Sequence, residues 1–64
     1  MTAEVFVHLE LLNNPKLTVV DLVNRKPEGM MGDSVRVAVL RLLNSGEVDV
    51  DINNKLTVTR EVKS

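Results

Sequence analysis

Residues 34–60 read SVRVAVLRLLNSGEVDVDINNKLTVTR, and two periodicities meet inside them. From Val35 to Leu43 the apolar residues recur with a period near 3.6. Val35, Ala38, Val39, Leu42 and Leu43 share one helical face. Asp33, Ser34, Val37, Arg41 and Asn44 fall on the opposite face, with Arg36 at the boundary. Asp33 or Ser34 is placed to cap this helix, and Gly46 offers the left-handed position that ends it. Beyond Gly46 the period becomes two, in Val48, Val50 and Ile52 and again in Leu56 and Val58, which predicts a hairpin. A two-residue loop at Asn53-Asn54 would send Val50 and Val58 to opposite faces. An odd loop, Asn53-Asn54-Lys55, would pair Ile52 with Leu56 and Val50 with Val58 and bring all four to one face. It requires Lys55 to take a left-handed conformation at a cost of about 1 kcal/mol, which burial of the apolar face outweighs.

Working outward, Thr18 to Arg25 reads as a short helix with a threonine cap, facing Leu17, Val20, Val23 and also Leu22 toward the core. The β-branched run Thr18-Val19-Val20 leaves a short Leu17–Val19 strand as the alternative. Pro27 pushes Lys26 out of the helical region. The first segment, Thr2 to Leu12, fits either period. As a helix it carries one stripe of Val5, Phe6, Leu9 and Leu12 and a second of Val7 and Leu11. As a strand it alternates Val5, Val7, Leu9 and Leu11 with Phe6, His8 and Glu10. Thr2 as N-cap and Pro15 beyond Asn13-Asn14 favour the helix.

Sixty-four residues hold one domain, 1–64, with a small core. The chain has no cysteine and one histidine, His8, so disulfides and thiolate metal sites are excluded and a zinc site is not expected. No cofactor is expected. No apolar run reaches the length of a membrane span. MTAEVFVHLELL lacks the basic region and cleavage site of a signal peptide, and the start at Met1 suggests a complete small protein. The expectation is a soluble, cytoplasmic chain without a membrane partner. The formal net charge is −1, whereas DNA-binding domains usually carry a basic excess because released counterions supply their non-specific affinity.

NPKLTVVDLVNR followed by SVRVAVLRLLNSGEVDVDINNKLTVT resembles the winged helix-turn-helix superfamily. The resemblance rests on the L-T-V-x-D-L entry into the second helix, the S-V-R-x-A-type third helix, the closing S-G-E-V and a wing ending in K-L-T-V-T. It implies an α+β fold, three helices followed by a two-stranded β-hairpin wing. It also implies a third helix, Ser34 to Ser45, that enters the major groove of double-stranded DNA, and a wing tip, Asn53, Asn54 and Lys55, that touches the backbone or minor groove. The sequence departs from the family at KPEGMMGD, residues 26–33, where the family has a short turn.

On that reading Arg36 and Arg41 reach guanine edges or phosphates, Ser34 donates to a phosphate and Asn44 reads an adenine. Arg25 and Lys26 clamp the flanking backbone, and Lys55 and Arg60 do so from the wing. Two arginines on a twelve-residue helix are equally ordinary solvated side chains. Asp33, Asp49 and Asp51 would repel phosphate. Met30 and Met31 suit either core packing or a protein interface. Val7 and Leu11, as a second stripe, suit a homodimer contact or cover by the wing. His8 four residues after Glu4 reads as a surface pair.

Enzyme signatures are absent: no phosphate-binding glycine loop, and no histidine downstream of any serine nucleophile. Two functions lead, with a purely structural subunit of a larger assembly as a third. One is a small dimeric winged-helix DNA-binding protein, a transcriptional regulator or architectural factor. The other is a winged-helix module that binds a protein partner, such as a host factor, and not DNA.

Overall fold

The computed structural model describes residues 1–59. Three helices precede a two-stranded antiparallel hairpin: α1 (Ala3–Asn13), α2 (Val19–Arg25), α3 (Gly32–Ser45), β1 (Val48–Val50) and β2 (Leu56–Val58). Arg60, expected to act from the wing, lies outside the described residues.

The first segment is helical. Thr2 caps α1, its side chain accepting from the Val5 N–H at 3.2 Å. The burial of α1 differs from the stripe expected of it. Phe6, Val7, His8 and Leu11 are buried, while Val5, Leu9 and Leu12 are exposed. Four buried positions spread over more than half the helix circumference, because α1 packs on α3 and also meets β2. His8 is in the interior rather than on the surface beside Glu4.

Thr18 caps α2 in a reciprocal box with Asp21. The Asp21 N–H donates to Thr18 Oγ1 at 3.2 Å, and the Thr18 N–H donates to Asp21 Oδ2 at 3.0 Å. Leu17, offered as the start of a strand, forms a bridge to Leu56 on the outer edge of β2, and the helix begins two residues later. Leu22 is the residue α2 buries completely, whereas Val20, expected in the core, is 66% exposed. With Leu17 held on the sheet, the helix is turned so that Leu22 and half-buried Val19 and Val23 face inward. Lys26 leaves the helix at φ −57, ψ 145.

Pro27 to Met30 forms a turn closed by the Met30 N–H on the Pro27 carbonyl at 3.2 Å, with Gly29 at φ 90. A positive φ at the third residue is the mark of a type II turn, and it favours glycine there. α3 starts one residue before the earliest expected cap. Met31 is its N-cap and makes no side-chain capping bond, so neither Asp33 nor Ser34 caps the helix. Its end is as the sequence predicts. Gly46 is left-handed at φ 81, and the Glu47 N–H reaches back to the Leu42 carbonyl at 3.1 Å, a Schellman closure.

The hairpin loop has the expected odd length but sits one residue earlier. Val48 pairs with Val58, Asp49 with Thr57 and Val50 with Leu56. The three-residue loop is Ile52-Asn53-Asn54, so the left-handed position falls to Asn54 at φ 63 and not to Lys55. Asparagine tolerates that conformation better than lysine, because its short polar side chain bonds locally. Asp51 Oδ1 accepts from the Asn53 and Lys55 N–H groups at 2.8 and 3.0 Å, which fixes the turn. The shift keeps Val48, Val50, Leu56 and Val58 on one face and leaves Ile52 outside it.

The core draws on every element: Phe6, Val7 and Leu11 from α1, Leu22 from α2, Val35, Ala38, Val39 and Leu42 from α3, and Val48 and Leu56 from the hairpin. No helix among the described residues is long and apolar enough to cross a membrane.

Candidate interaction surface

Helix α3 turns Asp33, Arg36, Val37, Leu40, Arg41 and Asn44 outward, all of them exposed. This is the face expected to carry Ser34, Arg36, Arg41 and Asn44, and Ser34 is exposed beside it. Its charge is cancelled locally. Arg36 Nη1 lies 3.1 Å from Asp33 Oδ1 on the same helix, and Arg41 Nη1 lies 3.1 Å from Glu4 Oε1 on α1. Between the two ion pairs stand Val37, 47% exposed, and Leu40, 60% exposed. Leu40 went unnoticed among the site residues, although the helical period shows where it points. It lies seven positions after Asp33, about 20° away around the axis, in the middle of the outward face.

Arg25, expected on a phosphate, instead meets Glu10 at 3.3 Å. Glu4 and Glu10 are six positions apart, roughly 120° around α1, with Ala3, Val7 and Leu11 between them. α1 is therefore held from one flank by Arg41 of α3 and from the other by Arg25 of α2. The sequence reading set Glu4 beside His8 and gave Glu10 no partner, because the pairs close over 37 and 15 residues of chain.

Lys55 does not stand alone at the wing tip. The Asp21 carboxyl is held below its ordinary value of 3.8, first by the Thr18 backbone N–H and then by the Thr18 hydroxyl, with a smaller attraction from Lys55 and Arg25. Both cations therefore lie within electrostatic reach of an acid on α2. Lys26 is half-buried, and Asn53 and Asn54 are exposed at the tip. The cations expected to converge are thus divided, with Arg25 paired to Glu10 of α1, Lys55 at the hairpin, and Arg36 and Arg41 on α3.

Val7 and Leu11, expected to form a dimer or partner contact, are buried within the chain and cannot form one. The apolar residues that α1 leaves exposed are Val5, Leu9 and Leu12, which follow each other at i, i+4 and i+7. Met30 and Met31 part company. Met30 is half-buried against the core, and Met31 is 68% exposed. Both line an open groove with Met1, so all three methionines of the chain meet there.

No group of three histidine, cysteine, aspartate or glutamate side chains gathers as metal ligands among the described residues. No family model, curated protein or solved structure matches the chain.

Proposed function

We propose that the chain is a winged-helix-type module that binds a protein partner through the outward face of α3. The order of elements supports the winged-helix reading: a helix, a short segment bridged to the sheet at Leu17, two helices and a hairpin. One observation carries the choice of partner. The face of α3 that would read a duplex has no net charge, since Asp33 and Glu4 neutralise Arg36 and Arg41, and it exposes Val37 and Leu40 between them. Proteins that depend on duplex DNA neutralise several phosphates, and each one neutralised adds to the salt dependence of binding. A face with apolar residues at its centre and paired charges at its edge has the anatomy of a protein interface, where a dry centre contributes affinity and a polar rim excludes water.

DNA binding is the second reading, favoured by the sharing of one helical face by Arg36, Arg41 and Asn44. The ion pairs are exposed, and such pairs contribute only about 0–1 kcal/mol, so a phosphate can displace the carboxylates. Fluorescence anisotropy with random-sequence duplex across a salt titration separates the readings. The protein reading expects no salt-dependent binding. It also expects Leu40→Asp to abolish capture of the partner while circular dichroism and Tm stay unchanged. Binding that falls steeply with salt and weakens in Arg41→Ala overturns it in favour of DNA.

A further inference from the structure

The hairpin tip presents an apolar side chain with no cover. Ile52, the only isoleucine in the chain, is 96% exposed. Its loop is held by hydrogen bonds on both sides. The Asp51 N–H donates to the Lys55 carbonyl at 3.0 Å, the Asn54 N–H donates to the Asp51 carbonyl at 3.0 Å, and the Asp51 carboxylate accepts from the Asn53 and Lys55 N–H groups. Burying Ile52 therefore requires little further ordering of the backbone. Beside it lies a groove of about 510 Å³ walled by Val19, Val20, Leu43, Val50, Asn53 and Leu56. None of the described residues lining it is charged, and Val20 and Val50 are exposed along it. Ile52 stands outside this groove although both Val50 and Asn53 line it. A protruding apolar side chain and an apolar groove are thus neighbours on one surface.

We propose that two copies of the chain associate about a two-fold axis at the hairpin tip, each seating Ile52 in the other's groove. A two-fold interface uses the same patch on both copies, so protrusion and groove must adjoin, as they do here. The charges at the base of the loop are self-complementary. Asp51 and Lys55 stand opposite each other at the base of the loop, the Asp51 N–H donating to the Lys55 carbonyl, and a two-fold axis lets Asp51 of one copy face Lys55 of the other. The neutral groove suits an isoleucine and would leave a charged side chain desolvated without a partner. Asp49 and Asp51 oppose a nucleic acid at the same tip. A standard interface takes roughly 800 Å² from each partner, nearly a fifth of the 4435 Å² this chain exposes. An interface confined to the tip and groove falls at the small, transient end of protein contacts, so the association is expected to be weak and readily reversible. The inference uses a different surface from the α3 reading and stands apart from it.

Sedimentation velocity of the full chain from about 10 µM to about 1 mM, with isotope-filtered NMR, tests it. The wild type is expected to pass from monomer to dimer over that range. In a mixed-label sample, the Ile52 methyl is expected to show intermolecular contacts to Val20, Val50 or Leu43. Ile52→Ser and Val20→Lys, both at exposed positions, are expected to keep the same Tm and to weaken the dimer at least about tenfold, since each dimer loses two buried contacts. A wild type that stays monomeric at 1 mM overturns the proposal. So does an Ile52→Ser variant that dimerises as the wild type does, which would move the contact to Val5, Leu9 and Leu12. An Ile52 methyl that shifts only when duplex DNA is added overturns it too and gives the tip to DNA.

Discussion

Asp21 is the third residue of α2, and its carboxylate secures the start of a helix only seven residues long. Helices that short are not stable on their own, so the bonds at the N-terminus count for more than they would in a long helix. Thr18→Ala removes the hydroxyl that accepts from Asp21 and should cost about 1 kcal/mol, lowering Tm by roughly 4–8 °C in a domain of this size. Urea denaturation and thermal melting by circular dichroism measure it. The same box makes stability depend on pH in a definite direction. Asp21 titrates below 3.8 in the folded chain because the Thr18 N–H and hydroxyl stabilise its charged form. Its contribution is therefore complete above the unfolded value of 3.8 and is lost as pH falls through the lower folded value. Asp21→Asn should lower Tm at pH 7 and flatten the fall in Tm below about pH 4. Equal slopes in variant and wild type would show that other carboxylates govern the acid limb. Thr18 as the cap was legible in the sequence. Asp21 as its reciprocal partner follows from the S/T-x-x-acid spacing and was within reach of the same reasoning.

Among the elements, α1 departs furthest from its sequence reading. A helix apolar on nearly all sides gives no single direction for the core, so its period cannot say which stripe is buried. The choice falls to long-range contacts. Ala3, Val7 and Leu11 lie between the two glutamates that pair with α2 and α3, and they turn inward. This orientation is testable. Leu11→Ala should cost about 2–5 kcal/mol, whereas Leu9→Lys should leave the denaturation midpoint within about 0.5 kcal/mol. Reversed effects would mean that α1 buries the other stripe. α3 behaves in the opposite way. Its polar and apolar faces are cleanly divided, and Val35, Ala38, Val39 and Leu42 are buried as the period requires. In the hairpin, alternation set the parity of the loop correctly but not its position. A shift of two in the pairing keeps every side chain on its own face, so the pattern alone could not distinguish Val50 opposite Val58 from Val50 opposite Leu56. Asn54 and the Asp51 carboxylate, which together favour the earlier turn, decide between them.

As a whole, the molecule has little stability to spare. A domain of this length has a total of roughly 3–10 kcal/mol, and Leu22, fully buried, is the only residue of α2 in the central core. Leu22→Ala should remove about 2–5 kcal/mol and leave a large unfolded fraction at 37 °C, seen as loss of a cooperative thermal transition. A sharp transition close to that of the wild type would show that α2 contributes less to the core than its burial implies. The ten large apolar residues exposed among the described residues matter at this scale as well. Single exposed apolar residues are ordinary. Val37 and Leu40 between neutralised arginines, and Ile52 beside an apolar groove, are arrangements rather than single residues, and both proposals rest on them.

The sequence alone determined the third helix and the hairpin after it, and favoured a helix at α2, because these are encoded locally: the threonine cap of α2, Pro27 after it, Gly46 at the end of α3, and the change of period from 3.6 to two; residues 2–12 it left between helix and strand. It determined the loop parity and the buried face of α3 for the same reason. Tertiary structure alone decided which side of α1 is buried, where Val20 and His8 lie, and which carboxylates meet Arg25 and Arg41. Those outcomes depend on groups brought together across many residues of chain. Local spacing carries no record of such meetings; it could reach the i, i+3 pair of Asp33 and Arg36, but not the Glu4–Arg41 pair that completes the neutral face.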